Sequence, residues 1–402
     1  MRGRPGLVGA LMAAATVLAG CTGTTEPRPP TLLVIGAAPG GQPQLLLVED
    51  VSATAPRGEP RLEVVPGGAR ALLAPAVALD FEDRAGERDA AWVLVRSSGG
   101  SGVTASLQRF EVDEIDPDEP SAFGEDVAAR VSLTEPGGTG VLDGLSPTSP
   151  TTCPVALQVD GDGETAVVLD DPSACGSGDH VELWLVPLAG GAPTALEATN
   201  PVAALPPYLD QATGDGVVYF LVDGIGSTHV YRHALGTDGS DRLVDVNVPE
   251  PASRLVSAAG SGARLVVLSD EDLLTVDLEE GGDATRADTR PNARGLVVDT
   301  TGIAPEVLVL TGADVAFHST PEDASPDVAP RAAAAATIDP VTRFGYAVGQ
   351  GTVTIIDLLT GGDSDSVFRP HAEPLAEMEL PTGANGTLSV IGWVRAVTPE
   401  EP

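Results

Sequence analysis

The stretch 181–196 reads Val181-Glu-Leu-Trp184-Leu-Val-Pro-Leu188-Ala-Gly190-Gly191-Ala-Pro193-Thr-Ala-Leu196. A mostly apolar run, a Gly-Gly pair and a second short run spell strand, tight turn, strand. Just upstream, Val159-Asp160-Gly161-Asp162-Gly163-Glu164 carries the Asp-Gly chemistry of a hairpin, and Ala166 to Leu169 follows as a wholly apolar run. Four short strands are therefore legible between Cys153 and Leu196, and no amphipathic helix stands out among them.

The same order recurs along the chain. Apolar runs lie at Leu32 to Ile35, Trp92 to Val95, Ala166 to Leu169, Val217 to Val222, Leu265 to Leu268, Val307 to Leu310 and Phe344 to Val348. Each is followed by a second run, at Leu45 to Val48, Leu107 to Val112, Val181 to Leu188, Val230 to Leu235, Leu273 to Leu278, Val315 to Phe317 and Val353 to Leu358. The first runs are apolar throughout, as in strands covered on both faces. The second runs alternate more, as in Leu107-Gln108-Arg109-Phe110-Glu111. Aligning the second runs on Leu188, Leu235, Leu278, His318 and Leu358 gives spacings of 47, 43, 40 and 40. A four-stranded propeller blade repeats every 40–45 residues or so. Further strand candidates lie between the pairs, at Arg254 to Ala259 and Arg294 to Asp299, and the Ala-rich stretch Arg331 to Thr337 is read as an innermost strand.

The expectation is an all-β, seven-bladed β-propeller over residues 31–396, followed by a disordered tail at 397–402. The first repeat begins at its second strand, and a spare strand, Thr387 to Val394, follows the seventh. Lending that strand to the first blade removes an exposed edge and closes the ring. The repeat at 159–196 resembles those of TolB-like and related WD40-like bacterial propellers, which run strand, Gly-Gly turn, strand. Leu274 to Asp283 and Thr354 to Asp363 fit the same grammar, whereas the first, second and sixth repeats depart from it. That resemblance implies a fold and leaves the task open.

Residues 1–20 read as a secretory signal, with Arg2 and Arg4 ahead of the apolar stretch Leu7 to Leu18. That stretch is shorter than the roughly 20 residues a membrane span needs. It ends in Leu18-Ala19-Gly20-Cys21, which resembles the lipobox of bacterial lipoproteins. The resemblance implies a diacylglycerol on the Cys21 thiol, a Thr- and Pro-rich tether through residue 30, and a body held outside the cytoplasm. Thr22 in place of Asp after the cysteine implies the outer membrane where a cell has one. Acyl chains contribute about 0.8 kcal/mol per buried CH₂, so two of them anchor firmly.

Composition narrows the partners. The 402 residues include 47 Gly and 35 Pro, a turn-rich balance. All 22 basic residues are Arg, set against 58 acidic ones, for a net charge of −36. Nucleic acid is excluded as a partner on this balance, since its binding needs cations to displace counterions from phosphate. A saline habitat or a GC-rich genome offers a second explanation of the acidity, in which the charge serves solubility.

In an oxidising compartment Cys153 and Cys175 are expected to pair as a disulfide rather than stay free. Pairing the strands about the turn near Asp162 sets Cys153 opposite roughly Asp171, with Cys175 just beyond. The bond is expected chiefly to brace a long loop, and it makes that rim, with Asp171, Ser173, Asp179 and His180, the place to look for binding. Asp160, Asp162 and Glu164 alternate like Ca²⁺ ligands, but Thr165 and Asp171 occupy the places where an EF-hand needs Gly and Glu. A solvated hairpin turn is the preferred reading, and the acidic stretch Glu111 to Asp126 is likewise read as a hydrated loop. His229 and His233 share a strand face, about 13 Å apart and too far for one metal. The three Trp, at 92, 184 and 393, are expected to pack between blades.

No Gly-x-Ser-x-Gly, His-Glu-x-x-His, Cys-x-x-Cys, P-loop or dinucleotide fingerprint is present, and no cofactor is called for. A binding or scaffolding propeller with an envelope protein or a small ligand as partner is therefore favoured. The alternative is an extracytoplasmic hydrolase or lactonase using loop carboxylates and a divalent metal.

Overall fold

The computed structural model describes residues 31–37, 41–50, 62–84, 87–99, 102–114, 131–133, 139–141, 153–176, 181–196, 207–210, 216–223, 228–237, 241–246, 255–261, 264–269, 272–278, 285–289, 293–299, 306–318, 327–329, 332–338, 344–349, 352–357, 373–379 and 391–394. The signal segment, Cys21, the tether, the tail and most of the acidic stretch lie outside them, as do Asp179 and His180. Of that stretch, Glu111 to Glu114 belong to a strand rather than to a loop.

Short apolar runs between turn residues yield short antiparallel strands. The first sheet holds β1 (Thr31–Ala37), β2 (Pro43–Asp50) and β3 (Leu62–Ala71). The second holds β4 (Ala76–Arg84), β5 (Glu87–Gly99), β6 (Gly102–Glu114), β7 (Val131–Leu133) and β8 (Thr139–Val141). The third, which includes the stretch 181–196, holds β9 (Pro154–Val159), β10 (Thr165–Asp170), β11 (Glu182–Pro187) and β12 (Thr194–Ala195).

The fourth sheet is β13 (Tyr208–Asp210), β14 (Val217–Asp223), β15 (Thr228–Ala234) and β16 (Asp241–Val246). The fifth is β17 (Leu255–Ser261), β18 (Arg264–Ser269), β19 (Asp272–Asp277) and β20 (Thr285–Thr289). The sixth is β21 (Ala293–Asp299), β22 (Glu306–Thr311), β23 (Val315–His318) and β24 (Asp327–Ala329). The seventh is β25 (Ala335–Ile338), β26 (Phe344–Gly349), β27 (Thr352–Asp357) and β28 (Glu373–Glu379). The last strand, β29 (Ile391–Val394), joins the first sheet, pairing Thr31 with Val394 and Leu32 with Trp393.

The chain is thus all-β among its described residues, apart from a 3-10 turn at Pro172–Cys175. Small sheets follow one another in sequence order, the third to seventh with their strands in up-and-down succession, the organisation of a propeller-type fold; in the second, β8 turns back to pair with β6. No helix among the described residues is long and apolar enough to cross a membrane.

Alternate residues of one strand serve different neighbours. Leu33, Ile35, Leu45 and Leu47 pack with Phe81, Ala91, Val93 and Phe110 of the second sheet. Leu32, Val34, Leu46 and Val48 pack with Tyr346, Val348, Val353 and Ile355 of the seventh. With a sheet on each side, the third strands are covered as well as the second ones. Thr354 in β27 and Gln108 in β6, polar members of alternating runs, are buried there. Gln108 meets the polar cost of that burial by accepting the Leu73 backbone N–H at 3.0 Å.

Candidate functional site

The third sheet separates the residues singled out in the sequence into two groups. Cys153 precedes β9 at one edge and Asp160 follows it at the other, about 23 Å apart at strand rise. Asp171, Ser173, Cys153 and Cys175 come together at the first edge; Asp160, Asp162 and Glu164 lie at the second.

At the first edge, β10 ends beside the start of β9. Asp170 pairs with Pro154, and the Asp171 backbone N–H donates to the Cys153 carbonyl at 2.9 Å. The chain then enters the 3-10 turn, whose first turn is capped by Asp171 Oδ1, accepting from the Ser173 backbone N–H at 3.0 Å. The Ser173 hydroxyl donates to the same oxygen at 2.5 Å. Gly176 closes the turn at φ 77°, a left-handed conformation that glycine adopts without Cβ strain. Cys175 is joined to Cys153 by a disulfide with Cα atoms 6.0 Å apart.

A cation from the neighbouring sheet reaches this edge. Arg96, near the end of β5, donates through Nη1 to Cys153 Sγ at 2.9 Å and to the Pro154 carbonyl at 3.1 Å. Its own backbone N–H donates to the Pro75 carbonyl at 2.9 Å, which brings the segment 73–75 to the same rim. Leu73 there is 71% exposed, the most exposed large apolar side chain among the described residues.

Asp170 completes the edge. Its Oδ1 accepts the Cys153 backbone N–H at 2.5 Å, while Oδ2 is buried with no hydrogen-bond partner. Burial pushes this carboxyl up to about 6, with like charge on Glu182 and Asp171 adding to the rise. The Cys153 N–H and the Arg96 charge act in the opposite direction.

At the second edge the acidic trio forms the β9–β10 hairpin. The Gly163 N–H donates to the Asp160 carbonyl at 3.0 Å, and the Glu164 N–H donates to Asp160 Oδ1 at 2.7 Å. Asp160 is raised in pKa, first by burial and also by its like-charged neighbours Asp162 and Glu164, against the lowering from the backbone N–H groups. Asp162 and Glu164 are exposed.

The hairpin rests on a cluster that sequence reasoning missed. Glu82 of β4 is 5% exposed and accepts from Trp92 Nε1 at 2.7 Å and from Arg109 Nε at 2.7 Å. Arg109 also donates to Glu111 at 2.9 Å, and its pKa is raised foremost by the hydrogen bond to Glu82. Gly163 sits directly on Glu82, where an added Cβ would stand 2.5 Å from the carboxyl carbon. Asp80, two residues before Glu82 on β4, accepts the Val159 N–H at 2.6 Å. The available signal was two acidic residues, Asp80 and Glu82, at alternate positions in a strand that pairs with the one carrying Trp92.

Among the remaining residues, His233 is buried and His229 half-buried on β15. Trp92 and Trp184 pack in one cluster between the second and third sheets. The side chain of Trp393 lies outside what the structure describes. Among the described residues, no three His, Cys, Asp or Glu side chains are grouped to hold a metal ion.

No protein-family model matches the chain, and no curated protein matches it. Solved structures similar to it are propeller-type proteins. Hsv2 of Kluyvelomyces marxianus is 11% identical over 76% of this chain and 82% of its own, with a TM-score of 0.44. Sqt1 of Chaetomium thermophilum, bound to the N-terminus of the ribosomal protein L10, is 12% identical over 70% of this chain and 71% of its own, at 0.41. Dihydro-heme d1 dehydrogenase NirN, in complex with DHE, is 12% identical over 86% of this chain and 68% of its own, at 0.43. Likeness at this depth transfers no task.

Proposed function

We propose that the chain is a seven-bladed propeller, fastened outside the cytoplasm by a lipid on Cys21, that binds an envelope protein or a small ligand, or scaffolds an envelope complex, through the disulfide-braced rim. The pairing of β29 with β1 and the packing of the first sheet against both the second and the seventh support a closed disc. The lipobox-like segment at 18–21 supports the anchor.

The observation that carries the binding role is the rim itself. A 3-10 turn tied covalently to Cys153, with Ser173 and Ala174 exposed on it, lies where Arg96 reaches Cys153, and the Arg96 backbone in turn bonds Pro75, two residues from the exposed Leu73. Bracing a loop lowers the entropy lost when it is ordered on a partner. A rim of mixed character, with one cation, several carboxylates and one apolar side chain, suits a polar protein surface or a small polar ligand better than a lipid face.

The test is cross-linking of the anchored full chain in intact envelopes, beside a chain with residues 173–179 deleted and Cys153→Ala. Loss of a cross-linked partner in the deletion, with the fold retained by circular dichroism, is expected. Equal recovery of every partner removes the rim from the proposal. Fatty-acid labelling that persists in Cys21→Ala removes the anchor.

A further inference from the structure

The two sulfurs of the Cys153–Cys175 bridge have unlike surroundings. Cys153 is fully buried at the start of β9, and Arg96 Nη1 donates to its Sγ at 2.9 Å. Cys175 is partly exposed at the end of the 3-10 turn, between the exposed Ala174 and Gly176. Thiol–disulfide exchange depends on access to the sulfur attacked and on how well the departing sulfur carries negative charge. The greater exposure of its residue favours Cys175. A cation in contact with sulfur lowers the pKa of the corresponding thiol, so departure is easiest at Cys153. The two preferences agree on one direction of cleavage.

We propose that this bridge is an exchange site for an external dithiol, attacked at Cys175 and releasing Cys153 as a thiolate held by Arg96. In the first step the thiolate of the dithiol forms a bond to Cys175 Sγ. The Cys153–Cys175 bond breaks, and its electron pair leaves on Cys153 Sγ. In the second step the other thiolate of the reagent attacks its own sulfur in the mixed disulfide, so the reagent departs oxidised and Cys175 is left as a thiolate. Two electrons pass from the dithiol to the cystine. The 3-10 turn then loses its covalent tie to β9, which is how exchange would reach the rim.

Other charges lie around Cys153. Asp170 accepts the Cys153 N–H, Asp171 caps the turn, and Glu182 lies on β11 paired with Asp170. Asp170 is bonded directly to the Cys153 backbone and opposes a second negative charge beside it. Arg96 and Asp170 should therefore act on the exchange rate with opposite signs. A substitution that merely loosened the rim would expose the bridge and accelerate exchange in both cases.

The experiment uses the purified full chain with its bridge intact, and needs neither the anchor nor the rim's ligand. Incubation with reduced glutathione at neutral pH, acid quenching and peptide mapping should find glutathione on Cys175. Glutathione on Cys153, or on both cysteines equally, overturns the proposal. With dithiothreitol, Arg96→Gln should slow reduction about tenfold, Arg96→Lys should recover part of the rate, and Asp170→Asn should raise it severalfold. Faster or unchanged reduction in a folded Arg96→Gln overturns the proposal. If that variant does not fold, the mapping on the unsubstituted chain still decides.

Discussion

The junction between the first and seventh sheets and the junction between the second and third solve the same packing problem with different chemistry. The former joins Leu32, Val34, Leu46 and Val48 to Tyr346, Val348, Val353 and Ile355, and every one of these is fully or almost fully buried. The latter also has an apolar centre, with Trp92, Leu94 and Leu107 against Leu157, Val168 and Trp184. Both of its edges carry polar bonds, however: Arg96 to Cys153 and Pro154 at one, and the Val159 N–H to Asp80 at the other, where Gly163 of the β9–β10 hairpin also rests against the Glu82 carboxyl. Apolar packing is non-directional and sets how close two sheets lie. Buried hydrogen bonds fix register, because each demands one partner at one place. The first junction holds the fold together, and the second additionally positions a rim.

Substitutions that break one junction and not the other sharpen this contrast. Ile355→Ala removes a fully buried side chain from the apolar junction and should cost about 3–4 kcal/mol, read as the loss in urea unfolding free energy. An effect below about 1 kcal/mol would mean that the junction collapses around the cavity and is less tightly packed than it looks. Removing the bridge with Cys153→Ala and Cys175→Ala together should cost about 3 kcal/mol for a loop of 22 residues' separation. Here the loss should leave the far edge of the third sheet undisturbed, so amide exchange should rise at 171–176 and not at 160–164.

Gly163→Ala probes the far edge. The native φ of 66° disfavours any side chain, and the new Cβ would meet the Glu82 carboxyl. Moving Glu82 aside disturbs the acceptor for Trp92 and Arg109. Arg109 is partly exposed and already bonded to Glu111, so it retains a partner and water, which limits the penalty. A cost of about 2 kcal/mol in the same unfolding measurement is expected, with a change in Trp fluorescence reporting the shift at Trp92. Unchanged fluorescence would place the relief elsewhere than at Glu82.

How much of this was legible follows from the range of each interaction. The succession of short strands showed in the sequence because apolar runs and Gly or Asp turns are local. The opposition of Cys153 and Asp171 was reached by counting residues about one hairpin, and β9 and β10 do meet there. Burial of Thr354 and Gln108 was not legible, since alternation predicts a wet face only when one side of a sheet lacks a neighbour. Nor was the contact between Glu82 and Gly163, which are far apart in the chain and belong to different sheets. An Asp at the end of an apolar run reads as a turn residue. The burial of Asp170 arises only when the disulfide, the 3-10 turn and β11 close over it.

That burial supplies the smallest and most specific prediction. The carboxyl of Asp170 ionises at about 6 in the folded chain against an ordinary 3.8, so the folded state binds this proton more tightly than the unfolded state does. Between those values stability falls as pH rises, and above about 6 the loss from this group is complete. Asp170→Asn removes the titration while keeping an oxygen to accept the Cys153 N–H. Its amide places a new donor where Oδ2 stands without a partner, which offsets much of the gain. At pH 7.5 the variant should be stabilised by only about 1 kcal/mol relative to the unsubstituted chain. The difference between the two should be about 2 kcal/mol more favourable to the variant at pH 7.5 than at pH 4.5, in urea titrations at both values. A difference that does not change with pH would show that Asp170 is not the buried, proton-hungry group at this rim, and with it would go the electrostatic half of the contrast between the two junctions.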